Sequence, residues 1–200
     1  MSTSRVSRIV VLLAVFLDVA NAHAQTLSEK QIDEAIAFGK TKKSAMVMIG
    51  GGDGGFGIGF QGPYARVAAK AAEATEKYLP FGRDQIDDEL LSPLVSVTAY
   101  PMKPSYGRYT GWTVTGAAKH LVLQVKAKKG QPATEAIQPT KTETFPVSWS
   151  NAMGGKFESQ GIAGWFAVED IPTEEFDVVV VTGASEFRYS VKPDRRAKIR

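Results

Sequence analysis

A chain of 200 residues without a cysteine excludes a disulfide framework, a thiol nucleophile and a thiolate metal site, so its fold must stand on a hydrophobic core. The formal net charge of +3 is too mild for a nucleic-acid footprint. Only two histidines occur, His23 and His120.

Residues 1–24 read as a secretory signal peptide. Arg5 and Arg8 make a positive start, residues 9–17 are an unbroken apolar run, and Ala20-Asn21-Ala22 and Ala22-His23-Ala24 each offer small-x-small cleavage. That run is too short for a bilayer core, which needs about 20 apolar residues. The expected destination is the periplasm or the outside of a bacterial cell. Cleavage would remove Arg5, Arg8 and Asp18, taking the charge from +3 to +2 and leaving His120 as the sole histidine. No two-histidine metal site can then form within one chain.

Residues 25–92 read as a helical segment interrupted by a glycine-rich loop. Ser28 and Gln31 have capping-box spacing, and Leu27 and Ile32 staple spacing, which starts a helix at Glu29. Ile32, Ala35, Ile36 and Gly39 share one face, and Lys40, Lys42 and Lys43 suit the negative C-terminal end of the helix dipole. Residues 45–49 form an apolar run of strand type. The stretch 50–62 is dense in glycine, with two overlapping GxGxxG spacings at Gly50, Gly52, Gly55 and at Gly57, Gly59, Gly62. Neither has strand and helix immediately on both flanks, and no succession of βα units follows, so the expectation is a glycine loop that holds no phosphate.

Pro63 then stands at the first position of a helix, where its missing N–H costs nothing. Tyr64, Val67, Ala68, Ala71, Thr75 and Tyr78 form its buried stripe, an alanine-rich face suited to close approach of a partner backbone. Arg66, Lys70, Glu73 and Lys77 form the wet stripe, and Pro80 stops the helix. Residues 83–91 predict one or two helical turns capped by Asp84, with Asp87, Asp88 and Glu89 as solvated acids whose spacing fits no calcium loop.

From residue 93 the pattern turns to period two. Val95, Val97 and Ala99 alternate with other residues, as do Leu121, Leu123 and Val125, then Phe145, Val147 and Trp149, then Ile162, Gly164, Phe166 and Val168. Residues 176–182 and 186–191 around a TGAS turn predict a hairpin, with the doubly apolar DVVVV arm as a central strand. Segregated helices and strands give an α+β fold: short N-terminal helices packed on a C-terminal antiparallel β-sandwich of immunoglobulin-like character over 93–192. The basic tail, 193–200, predicts a frayed, solvated end.

Candidate binding residues concentrate in an irregular aromatic stretch: Tyr100, Lys103, Tyr106, Arg108, Tyr109 and Trp112. Flat rings beside cations stack on sugars, bases or peptide side chains. No catalytic motif is present, neither GxSxG nor SxxK, and no cofactor or metal is expected. The sequence therefore predicts an exported protein that acts by binding or structural interaction with an envelope protein or glycan, without a transmembrane helix or nucleic acid. The alternative is an exported hydrolase of a glycan or ester, using His120 or the acids Glu169, Asp170, Glu174, Glu175 and Asp177 brought together by folding.

Overall fold

The computed structural model describes residues 27–50, 55–102, 116–127, 130, 132, 134–150, 156–183 and 185–199. Residues 1–24, read as the signal peptide, lie outside that set. The first helix, α1 (Glu29–Lys40), begins where its cap predicts: the Gln31 N–H donates to Ser28 Oγ at 3.4 Å, and the Ser28 N–H donates to Gln31 Oε1 at 2.9 Å. Its buried face is Ala35, Ile36 and Gly39. The second, α2 (Pro63–Glu76), opens on Pro63 and buries Ala65, Val67, Ala68 and Ala71.

The alanine stripe of α2 does approach a backbone closely, and the backbone is that of α1. A Cβ added to Gly39 would sit 2.2 Å from the Ala68 carbonyl oxygen and 2.7 Å from Ala71 Cβ. The two helices run in opposite directions, since Phe38 near the end of α1 meets Tyr64 at the start of α2. Beyond the end of α2, Arg83 ties back to the first turns of α1, donating to Glu29 Oε2 at 3.0 Å and Asp33 Oδ1 at 2.6 Å. A separate apolar cluster forms between them, with Leu90 and Leu91 packed at its margin.

Three expectations for this region change. Tyr78 is 94% exposed, because the helix has already ended at Lys77 and the left-handed Tyr78 (φ 57) turns its ring away from the stripe. Arg66 is part-buried rather than wet: it donates to the carbonyls of Leu90 (3.2 Å), Leu94 (2.6 Å) and Ser92, tying α2 to the chain that leaves α3 (Asp88–Leu91). The cap of α3 is Asp87, which accepts the Leu90 N–H at 2.9 Å; Asp84 falls inside a preceding 3-10 turn, Arg83–Gln85.

Among the described residues there are eight strands: β1 (Val47–Gly50), β2 (Phe56–Gln61), β3 (Leu94–Pro101), β4 (His120–Val125), β5 (Lys141–Ser150), β6 (Lys156–Ala167), β7 (Phe176–Val181) and β8 (Glu186–Val191). They form a five-stranded sheet in the order β1-β2-β3-β6-β5 and a three-stranded sheet in the order β4-β7-β8. Every pairing is antiparallel. The DVVVV arm is the central strand of the smaller sheet, and the predicted hairpin forms with Phe176 opposite Val191 and Val181 opposite Glu186. One apolar cluster draws on both sheets, with Phe56, Ile58, Phe60, Val97, Ile162 and Phe166 from the larger and Leu121, Leu123, Phe176, Val178, Val180 and Val191 from the smaller. The protein is a mixed α+β fold with two antiparallel sheets.

The largest departure lies in the glycine-rich stretch, whose residues 56–61 are a strand and not part of a loop. Phe56, Ile58 and Phe60 alternate with Gly57 and Gly59, a period-two pattern that the density of glycine conceals. The three large side chains fill the shared core, and methionines cover the glycines on the opposite face. A Cβ on Gly59 would meet Met46 Sδ at 2.5 Å, and one on Gly57 would meet Met102 Sδ at 3.0 Å. The front segment therefore supplies β1 and β2 to the larger sheet, and the sheet crosses the expected boundary at residue 92.

The tail also departs from expectation. Residues Pro193–Arg196 form a short helix, α4, and Ile199 beyond it is 7% exposed within the shared core. An isoleucine in the core pins the end of the chain despite its charged neighbours. None of the described helices is long and apolar enough to cross a membrane.

Candidate functional site

The residues singled out in the sequence do not assemble among the described residues. Lys103, Tyr106, Arg108, Tyr109 and Trp112 lie outside them. Tyr100 lies in β3, half-buried on the sheet face away from the shared core, with its ring 5.4 Å from that of Phe145. Phe145 reaches that position because it stands opposite Gly161, whose missing Cβ leaves room: one added there would meet the Phe145 ring at 2.4 Å. On the same face, Lys141 Nζ stands 5.0 Å over the Trp165 ring.

The titratable residues considered for hydrolysis are dispersed or paired. His120 is exposed at the start of β4, opposite Val181. Glu175 accepts from Lys126 at 2.7 Å, and that bond holds the Lys126 ammonium above its ordinary range. Asp177, 9% exposed, accepts the Ser190 hydroxyl at 2.8 Å and faces Lys126 at 3.8 Å and Arg188 at 3.9 Å. These contacts stitch β7 to β8 and to the end of β4. No group of three or more His, Asp or Glu side chains suited to a metal ion occurs among the described residues.

The site with both shape and charge lies elsewhere, where four distant parts of the chain converge. A cleft of about 410 Å³ opens between the facing ends of α1 and α2, strand β1 and the C-terminal turn. Phe38 and Tyr64 form one wall, their ring centroids 6.3 Å apart and tilted by 56°. Ala45, Met46, Val47 and Met48 supply the floor, where Met48 is 49% exposed. Methionine is unbranched and polarizable, so such a floor adapts to the shape laid on it.

Arg195 and Lys198 complete the cleft from the far end of the sequence. Their placement follows from Ile199: with that side chain in the core, the turn is held by the Lys198 N–H to Arg195 carbonyl and the Ile199 N–H to Arg196 carbonyl bonds, both 3.0 Å. Both residues are exposed, and both line the cleft with Met46, Val47 and Met48. No acidic side chain is among the described residues that line the cleft. The arrangement can hold a molecule with an apolar body and an anionic group, because the body leaves water against Met and aromatic surface while the charge meets two cations at the rim.

Sequence reasoning missed this site. The bases of the tail were visible, as was a basic end to α1, but nothing local connects residue 38 with residue 195. No protein-family model matches the chain, and neither a curated protein nor a solved structure matches it.

Proposed function

We propose that the protein is an exported, periplasmic binding protein whose cleft takes an envelope component with an apolar body and one anionic group. The observation that carries this reading is the convergence of Arg195 and Lys198 on a floor of Met46, Val47 and Met48 beside the Phe38–Tyr64 pair, without an acid in the described lining. The scaffold we assign is an immunoglobulin-like sandwich. Two orders support that assignment: β2-β3-β6-β5 corresponds to the A-B-E-D sheet of such domains, and β4-β7-β8 to C-F-G. Strand β1 is then an added edge, and α2 and α3 are an insertion between the first two strands. Export is supported by the charge, apolar run and cleavage pattern of residues 1–24.

Calorimetric titration with sodium decanoate tests the cleft. Binding is expected for the carboxylate and not for decylammonium, and the double variant Arg195→Glu, Lys198→Glu should weaken it at least about tenfold. Equal binding of both head groups, or no effect of charge reversal, would sink the reading. Export is tested by N-terminal sequencing of the protein recovered from a periplasmic fraction, with cleavage expected after Ala22 or Ala24. A chain that keeps Met1 and stays in the cytoplasm contradicts it.

A further inference from the structure

Side chains alternate between the two faces of a strand, yet Ser44, Ala45, Met46, Val47 and Met48 line the cleft in unbroken succession. Val47 takes part although its side chain belongs to the shared core. A cavity that touches every residue of such a run follows its backbone, so the cleft lies along the edge of β1 and not over one face. That edge is the end of its sheet, and among the described residues no strand pairs with it.

The register shows which backbone groups are open there. The Met102 N–H donates to the Gly55 carbonyl at 2.9 Å, one step beyond the Phe56–Pro101 pair. Bonded and non-bonded pairs alternate along an antiparallel ladder, so Gly57 and Gly59 bond to β3 and Phe56, Ile58 and Phe60 turn toward β1. The Phe56 N–H obeys this parity: it lies beyond the end of β1 and donates instead to the Tyr189 hydroxyl. Val47 and Ile49, opposite Phe60 and Ile58, therefore take the bonds to β2, and the backbones of Met46 and Met48 face outward. Ser44 Oγ accepts the Met46 N–H at 3.2 Å. The Met46 carbonyl and both backbone groups of Met48 remain open along the cleft.

We propose that the cleft takes the C-terminal end of an extended apolar peptide, which adds a strand to β1 while its carboxylate meets Arg195 and Lys198. This deepens the reading of the cleft given above and rests on it. Two features select a peptide end as the occupant. An open strand edge presents donor and acceptor in alternation, which another main chain satisfies and an alkyl chain leaves buried and unpaired. Two cations without an acid in the described lining complement a terminal carboxylate and repel a terminal amine. With β1 only four residues long, few ladder bonds form, so the captured charge supplies much of the affinity and fixes the register.

Calorimetric titration of the protein recovered from expression of the full chain, with the N-acetylated tetrapeptide AVAF, tests this. The free acid should bind, and its C-terminal amide at least about tenfold more weakly. Methylating one of the two central backbone nitrogens should weaken binding at least about tenfold and methylating the other should spare it, because only alternate N–H groups face β1. Hydrogen exchange reads the edge directly: in the free protein the Met48 amide should exchange faster than that of Ile49, and the peptide should slow it at least about tenfold. Equal binding of both methylated peptides, equal binding of acid and amide, or a Met48 amide already as slow as that of Ile49 in the free protein overturns the proposal. Decanoate that binds where the peptide does not overturns the peptide and leaves the cleft reading standing; if neither binds, both fall.

Discussion

Gly39 occupies a position where a single methyl group decides stability. In an isolated helix, Gly39→Ala would gain about 1 kcal/mol of propensity. Here the added Cβ would stand 2.2 Å from a backbone carbonyl of α2, and a helix backbone cannot swing aside as a side-chain tip can. Overpacking costs about 1–3 kcal/mol, so Gly39→Ala should lower the urea midpoint with an unchanged slope; an unchanged or higher midpoint would show that the helices part freely. Tyr189 makes a second residue-scale case. Its hydroxyl accepts the Phe56 N–H across the two sheets, and burial pushes its phenol above the ordinary 10.0, the bond to Phe56 opposing this more weakly. A raised acid is held protonated by the fold, so the unfolded chain releases its proton first, and the stabilisation is intact below pH 10 and lost as pH rises beyond it. Tyr189→Phe should therefore be less stable than wild type at neutral pH, with the gap narrowing above pH 10 in paired urea titrations.

Among the elements, the tie between α2 and the strand that follows α3 rests on Arg66. Burial pulls its guanidinium below the ordinary range, with Glu89 partly opposing, yet the planar fork still satisfies three carbonyls at the end of α3 and the start of β3. Arg66→Ala should cost about 3 kcal/mol, since it strands carbonyls whose partner was charged. Arg66→Lys should recover less than half, because an ammonium is a point charge and cannot span three acceptors. Thermal melts of the two variants measure the difference, and equal melting temperatures for Lys and Arg would refute the fork argument. The elements also separate what local pattern reveals from what it hides. The α1 cap, the Pro63 start and the 176–191 hairpin were legible because each signal spans a few residues and acts locally. Arg66 was read as wet since its three partners stand 24 to 28 residues away. Strand β2 was hidden because glycines at alternate positions look like loop until the methionines that cover them are placed.

For the whole molecule, Ile199 closes the core and orients the cations of the cleft. Ile199→Ala should cost about 2 kcal/mol, at the low end for a buried isoleucine so near a chain end, and it should weaken decanoate binding although no ligand contact is removed. A variant as stable as wild type, with unchanged binding by calorimetry, would return the tail to the frayed state that its four bases suggest. The same scale explains the candidate site. Phe38, Met48, Tyr64 and Arg195 belong to four elements, and only the packing of β1 beside β8 and the turn after β8 brings them together. The sequence by itself determined the α1 cap, the Pro63 start of α2, the alternation of most strands, the hairpin and the α+β class, since each depends on backbone geometry and neighbours within a turn or a pleat. Only the tertiary structure decided which backbone the alanine stripe would meet, that a glycine run would serve as a strand, and where charge would stand over an apolar floor. Those outcomes depend on which distant surfaces share one core, and that choice is made by burial summed over the whole chain.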